Sequence, residues 1–122
     1  MKIHGYVDFE WSDDVLVVKG YGPFNLEAVE KVEGQYTAAI NSRKNHEYSV
    51  LEIWDEGSLG SPEVMGRISD FWYDLPSRNC KRLAILVSNR IQMRICEKLI
   101  PKFARVFLER NDADGWLSSE VE

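Results

Sequence analysis

Metal, disulfide and membrane chemistry have little to work with in this chain. Among its 122 residues there are two cysteines, Cys80 and Cys96, and two histidines, His4 and His46. The cysteines stand in neither metal-ligand nor redox spacing, and a secreted domain of this size more often carries a paired framework, so both read as reduced packing residues. His4 falls on the polar side of a strand pattern and His46 in a loop, each without an Asp, Glu or Cys companion at ligand spacing, so no metal and no cofactor are expected. The longest apolar run, Leu83 to Val87, is far short of the ~20 residues that cross a bilayer. The N-terminus is an immediate strand pattern without a signal-peptide apolar region, which predicts a cytoplasmic protein. No Gly-x-Ser-x-Gly elbow, phosphate loop or dinucleotide fingerprint occurs. Gly20-Tyr21-Gly22-Pro23 lacks the third glycine and puts a proline where a phosphate cradle needs free amides. With no convergent set of titratable groups, no catalytic residue is assigned and the chain is not read as an enzyme.

What is present is the composition of a folded domain: 44% hydrophobic and 29% charged residues, with four Trp, five Tyr and five Phe. Disordered chains lack this much buriable surface, and the length suits one domain over residues 1–122. Ile3, Gly5, Val7, Phe9 and Trp11 alternate with polar residues, predicting a strand over 3–11. Ser12-Asp13-Asp14 supplies a turn before Val15-Leu16-Val17-Val18, so a second strand to about Gly20 closes a hairpin. Asn25 then caps a helix running to about Arg43, with Leu26, Val29, Val32, Tyr36, Ala39 and Ile40 at helical spacing.

Residues 48–54 form the third strand. Ser61-Pro62-Glu63 starts a second helix whose apolar stripe is Val64, Ile68, Phe71, Trp72 and Leu75, and Pro76 ends it. Residues 83–87 are apolar throughout and read as a strand covered on both faces. A third helix spans about 89–100 with Ile91, Ile95 and Leu99 inward. A short strand follows over 104–108, and a last helix capped by Asn111 turns Ala113, Trp116 and Leu117 to the core. The order is ββαβαβαβα. Repeated strand–helix–strand units require parallel pairing of strands two to five, with strand one added antiparallel. The fold class is therefore α/β, a two-to-three-layer, mixed but mostly parallel five-stranded sheet with four helices.

The run from Asp14 to Gly20 into Gly22-Pro23-Phe24-Asn25-Leu26-Glu27, the Ser61-Pro62-Glu63 helix start, Trp72, the apolar strand at 83–87, and Arg105-Val106-Phe107 followed by Ala113 and Trp116-Leu117 form one pattern over most of the chain. This pattern resembles the SpoIIAA-like branch of the STAS fold, in its uncharacterised bacterial members. The resemblance implies a small sheet wound mostly in one direction and a role as an interaction or ligand-binding module in a bacterium, with no catalytic residue set. Members that antagonise anti-sigma factors are phosphorylated on a serine in an Asp-Ser-Ser-Gly-like turn after the third strand. Here that region reads Asp55-Glu56-Gly57-Ser58-Leu59-Gly60-Ser61. The motif is not in proper form; Ser58 is the nearest phosphorylation candidate, and Ser61 is explained by capping.

Charge is unevenly placed. Residues 1–77 carry 6 basic and 14 acidic side chains, residues 78–110 carry 9 and 2, and residues 111–122 carry none and 4. Arg90, Arg94 and Lys98 recur at i, i+4, i+8 on the third helix, with Lys102 and Arg105 following, and such a stripe suits an acidic partner, a phosphate group or an anionic surface. Against it stands a solvated helix face whose last turn favours cations. Nucleic acid is not expected, because no recognition motif is present and the acidic first 77 residues repel phosphates. Asp13-Asp14, Asp55-Glu56 and Asp112/Asp114 sit where turns and helix starts want acidic groups, and are read as such. Tyr21, Phe24 and Trp54 lie near loops at the carboxyl ends of the strands, where open α/β sheets place ligands, beside the Asn25 cap site.

Two functions follow as expectations. The first is a non-catalytic interaction or regulatory module using Arg90, Arg94, Lys98 and Lys102, with a protein partner and self-association through acidic and basic regions of identical copies. The second is a binder of a small apolar or anionic ligand, or a lipid, at Tyr21, Phe24, Asn25 and Trp54.

Overall fold

Period-two alternation at the start of the chain becomes a strand because one side of it meets helices and the other meets water. The computed structural model describes residues 4–43 and 46–119. Strand β1 is Tyr6–Ser12, with Tyr6, Asp8, Glu10 and Ser12 exposed and Val7, Phe9 and Trp11 half-buried. It pairs antiparallel with β2, Val15–Tyr21, from Tyr6 opposite Tyr21 to Ser12 opposite Val15. Asp13 turns the hairpin at φ 52°, a left-handed conformation that Asp tolerates. Ile3, expected in this strand, lies outside the described residues.

Helix α1, Leu26–Asn41, begins where Asn25 Oδ1 accepts the Ala28 amide at 3.0 Å. Strand β3 is Tyr48–Trp54, and α2 is Pro62–Asp74, opened by Ser61 Oγ accepting from the Val64 amide at 3.2 Å. A 3-10 turn over Leu75–Arg78 and Asn79 at φ 71° lead into β4, Cys80–Leu86. Helix α3, Arg90–Glu97, is capped by Asn89, β5 is Ala104–Phe107, and α4 is Arg110–Ser118. The strands lie in the order β1-β2-β3-β4-β5, with β2 to β5 parallel. The expected ββαβαβαβα order and mostly parallel sheet are found.

Successive parallel neighbours joined by crossovers of one hand bring α1, α2 and α3 to the same face. That face holds the larger core, with Leu16, Val50, Leu83, Ile85, Trp72, Leu75 and Cys96 essentially inaccessible. On the opposite face α4 covers Leu51 and Ala84 with Ala113, Trp116 and Leu117.

Three boundaries differ from the sequence expectation. Strand β4 starts at Cys80, three residues before the apolar run, because Cys80 already pairs with Tyr48. Helix α3 ends at Glu97, and Ile91, expected inward, is 68% exposed. The inward position belongs to Gln92, fully buried, whose Nε2 donates to the Asp55 carbonyl at 2.7 Å and whose Oε1 accepts from the Ser88 amide at 2.8 Å. A satisfied buried amide turns the helix by one residue, and Ile91 goes to solvent. Helix α4 starts at Arg110, so Asn111 is inside it and does not cap; Glu109 holds the cap position without a side-chain bond. An Arg110–Asp114 pair at 3.1 Å supports this earlier start.

Candidate functional site

A carboxylate in the middle of a central strand organises the helix-covered face. Tyr48, Val50, Glu52 and Trp54 share one side of β3, and that side points at α1 and α2, so Glu52 is 6% exposed among apolar neighbours. Three donors meet it. The Tyr36 hydroxyl from α1 and the Trp72 indole N–H from α2 donate to Oε2 at 2.8 and 2.9 Å, and the Trp54 indole N–H donates to Oε1 at 3.0 Å. Burial pushes the Glu52 carboxyl above its ordinary range, and the bonds from Trp54, Tyr36 and Trp72 pull the other way. The Tyr36 hydroxyl is held well above its ordinary value, by burial first and then by the adjacent Glu52. This network pins α1 and α2 to the sheet through one residue.

Beside Glu52 lies a cavity with about 60 Å³ of room for water-sized groups. Its floor is Val18, Val29, Tyr36, Glu52, Trp54 and Trp72, all buried, and its half-exposed rim includes Phe24, Val32, Glu33, Ile68 and Phe71. Trp54 and Trp72 lie with ring centroids 5.9 Å apart, and Tyr36 and Phe71 4.7 Å apart, so much of the wall is aromatic. At the rim Arg67 of α2 bridges to Glu33 of α1 through two bonds of 3.0 and 3.2 Å.

The loop after β3 packs on the loop after β2. Asp55 Oδ1 accepts from the Gly22 amide at 3.2 Å, the Gly57 amide at 3.1 Å and the Ser58 hydroxyl at 2.7 Å. Gly22 is required here, because a Cβ on it would collide with the Gly57 carbonyl oxygen.

Two solved structures share this architecture. An uncharacterized protein of the DUF3478 family with a SpoIIAA-like fold, from Shewanella loihica PV-4, superposes with a TM-score of 0.64 at 23% identity, covering 96% of each chain. An anti-sigma factor antagonist from Mycobacterium paratuberculosis superposes with a TM-score of 0.64 at 12% identity, covering 94% of this chain and 95% of its own. The chain has a SpoIIAA-like fold. No protein-family model matches it, and no curated protein sequence does.

Within the SpoIIAA-like sheet the residues singled out from sequence separate into three places. Phe24 and Trp54 meet in the cavity. Asn25 stands beside it as the α1 cap, its Oδ1 also accepting from the His4 amide at 3.2 Å. Tyr21 points to the opposite face and stacks on Tyr6 at 4.7 Å. Ser58 is 1% exposed, and its hydroxyl lies 3.0 Å from the Gly20 carbonyl oxygen as well as 2.7 Å from Asp55, so a kinase reaches it only if the loop opens. Arg90, Arg94 and Lys98 are exposed along α3, a stripe spanning about 12 Å at 1.5 Å per residue. Lys102, also exposed, lines a depression at the amino ends of the strands with Lys81 and Arg105.

Cys80 and Cys96 are buried, unpaired and pushed up to about 12, chiefly by burial, which makes both poor nucleophiles at neutral pH. Among the described residues no three His, Cys, Asp or Glu side chains gather as metal ligands. None of the described helices is long and apolar enough to cross a membrane.

Glu52, Tyr36, Phe71 and Trp72 were not read as a site from sequence. The available signal was parity: one carboxylate at the centre of an otherwise apolar β3, on the same side as Val50 and Trp54, has to be buried and therefore partnered.

Proposed function

We propose that this chain is a non-catalytic interaction module of the STAS-like type, acting in a bacterial cytoplasm, that holds an acidic protein surface on the outer face of α3. The observation that carries this reading is the pattern of ion pairing. Arg43, Arg67, Arg78 and Arg110 each pair with a carboxylate. Arg90, Arg94, Lys98 and Lys102, like the scattered Lys19, Lys31 and Lys81, have no such partner among the described residues, but they follow one another along and just beyond α3, where Ile91 stands 68% exposed beside Arg90 and near Arg94. An exposed apolar side chain flanked by uncompensated cations suits a partner that brings carboxylates around an apolar contact. The anti-sigma factor antagonist among the structural neighbours lends support to a protein partner. Buried unpaired thiols agree with a reducing compartment.

The test is Arg90→Glu, Arg94→Glu and Lys98→Glu together, compared with the native sequence by cross-linking in bacterial extract and by native mass spectrometry of the purified protein. The native chain is expected to acquire a stoichiometric protein, or a second copy of itself, in a complex that weakens at least tenfold between 0.1 and 1 M salt as the screening length falls from about 10 to 3 Å. The triple variant should lose that complex while melting as the native chain does. A complex retained in the variant, or indifferent to salt, overturns the assignment to α3.

A further inference from the structure

We propose that the cavity between α1, α2 and the sheet binds a small alkylammonium group, caged by Phe24, Tyr36, Trp54, Phe71 and Trp72, with the Glu52 carboxylate as counter-charge. Three properties of the cavity select that chemistry. Its wall is apolar and largely aromatic, and ring faces attract cations, most strongly where water is excluded. Its only charged lining groups among the described residues are carboxylates, Glu52 at the floor and Glu33 at the rim. An anionic ligand, one of the classes expected from sequence, would meet the Glu52 carboxylate at the floor, and the Arg67 guanidinium at the rim is already bonded to Glu33.

The third property is the bonding of Glu52 itself. An ionised carboxylate accepts at about four positions, and the three donors from Tyr36, Trp72 and Trp54 leave Oε1 with one bond against two on Oε2. A ligand N–H can take the remaining position, while its methyl groups lie against the indoles. The ionised form that burial disfavours at Glu52 is the form that a bound cation compensates.

Size bounds the ligand. At about 10–15 Å³ of such room per water-sized group, the ≈ 60 Å³ available holds roughly four to six non-hydrogen atoms. Trimethylammonium has a matching bulk, and tert-butanol offers nearly the same shape without the charge. A longer chain on the nitrogen would have to leave past Val32, Ile68 and Phe71 at the rim.

The experiment follows the indole N–H resonances of Trp54 and Trp72 in ¹⁵N-labelled protein at pH 7.5 during titration with trimethylammonium chloride, tert-butanol and sodium chloride. Saturable shifts of both indoles are expected with trimethylammonium, at least tenfold weaker binding of tert-butanol, and no saturable change with sodium chloride. Glu52→Gln should abolish the preference for the cation. Val32→Trp fills the rim from α1, leaves the three bonds to Glu52 untouched, and should block binding altogether, which keeps the test decisive if the Gln variant folds poorly. Equal binding of tert-butanol, absence of saturation with trimethylammonium, or undiminished binding by Val32→Trp overturns the proposal.

Discussion

The two faces of the sheet are closed in different ways. Under α1, α2 and α3 the contacts are made by large rings, among them Tyr36, Trp54 and Trp72, gathered around a hydrogen-bonded carboxylate with a cavity beside it. Under α4 the buried side chains are Leu51, Ala84 and Ala113, with Phe107 and Trp116 packed at their edge and no carboxylate among the described residues of that cluster. One face is specified by polar geometry, the other by the small volume of two alanines. Polar geometry leaves space that a ligand can use, because indole and phenol rings held by hydrogen bonds at their tips cannot also collapse inward to fill it. Small residues packed to contact leave none between Leu51, Ala84 and Ala113, and the depression on that side lies past them, at the amino ends of the strands, with Trp116 and Leu117 in its wall.

Breaking the polar face should cost most. Glu52→Ala strands the Tyr36 hydroxyl and the Trp54 and Trp72 indole N–H groups in an apolar interior, at about 1–3 kcal/mol for each unsatisfied donor. A loss of about 3–9 kcal/mol, which at its upper end unfolds a domain of this size, is expected by urea denaturation. Glu52→Gln keeps an acceptor and the volume and should lose less. The same pair fixes a pH dependence. The folded-state pKa of Glu52 is raised by burial, so its favourable contribution is complete below the ordinary carboxylate range and is lost as pH climbs through the raised value. Relative to Glu52→Gln, the native chain should therefore lose stability from about pH 4.5 upward. The groups around Glu52, namely Tyr36, Cys80 and Cys96, are held neutral across that range by their own raised values. A constant difference between the two proteins across that range would show that Glu52 ionises as freely folded as unfolded.

These particulars also show what a sequence discloses. Element order and sheet topology were legible because they rest on local rules: Asn25 and Ser61-Pro62 start helices by satisfying amides within three residues, and parallel pairing follows from the helices between strands. The α3 register was not legible. Gln92 faces inward only because the Asp55 and Glu56 carbonyls, more than thirty positions away, are there to receive its amide. The Glu52 site failed to appear for the same reason. Its donors come from positions 36, 54 and 72, and no periodicity within a single element reports that they converge. Phe24 and Trp54, chosen for lying at strand ends, did reach the cavity, whereas Tyr21 fell on the far face by the one-residue parity of β2.

Overfilling the face under α4 is expected to have the next largest effect. Ala113 is fully buried against Leu51 and Ala84, themselves almost inaccessible. Ala113→Leu adds three carbons at a position that is already inaccessible, and overpacking of this kind costs about 1–3 kcal/mol. The cation site on the other face should be untouched, so the indole shifts with trimethylammonium report whether the two faces are independent. A variant that loses binding along with stability would show that α4 sets the position of β3 for both.

The smallest effect belongs to the part of the second face that α4 does not reach. There Tyr6 is 60% exposed and stacks on Tyr21, its cross-strand partner in the β1–β2 pair, with Asp8 and Glu10 also outward on β1. A cross-strand aromatic pair on a wet face contributes about 0.2–1 kcal/mol relative to alanine. Tyr6→Ala should therefore lower stability by less than 1 kcal/mol, and should change neither the indole resonances of Trp54 and Trp72 nor partner capture by α3. A larger loss, accompanied by a dimer that native mass spectrometry shows to be lost in the same variant, would show that a second copy of the chain covers these two rings.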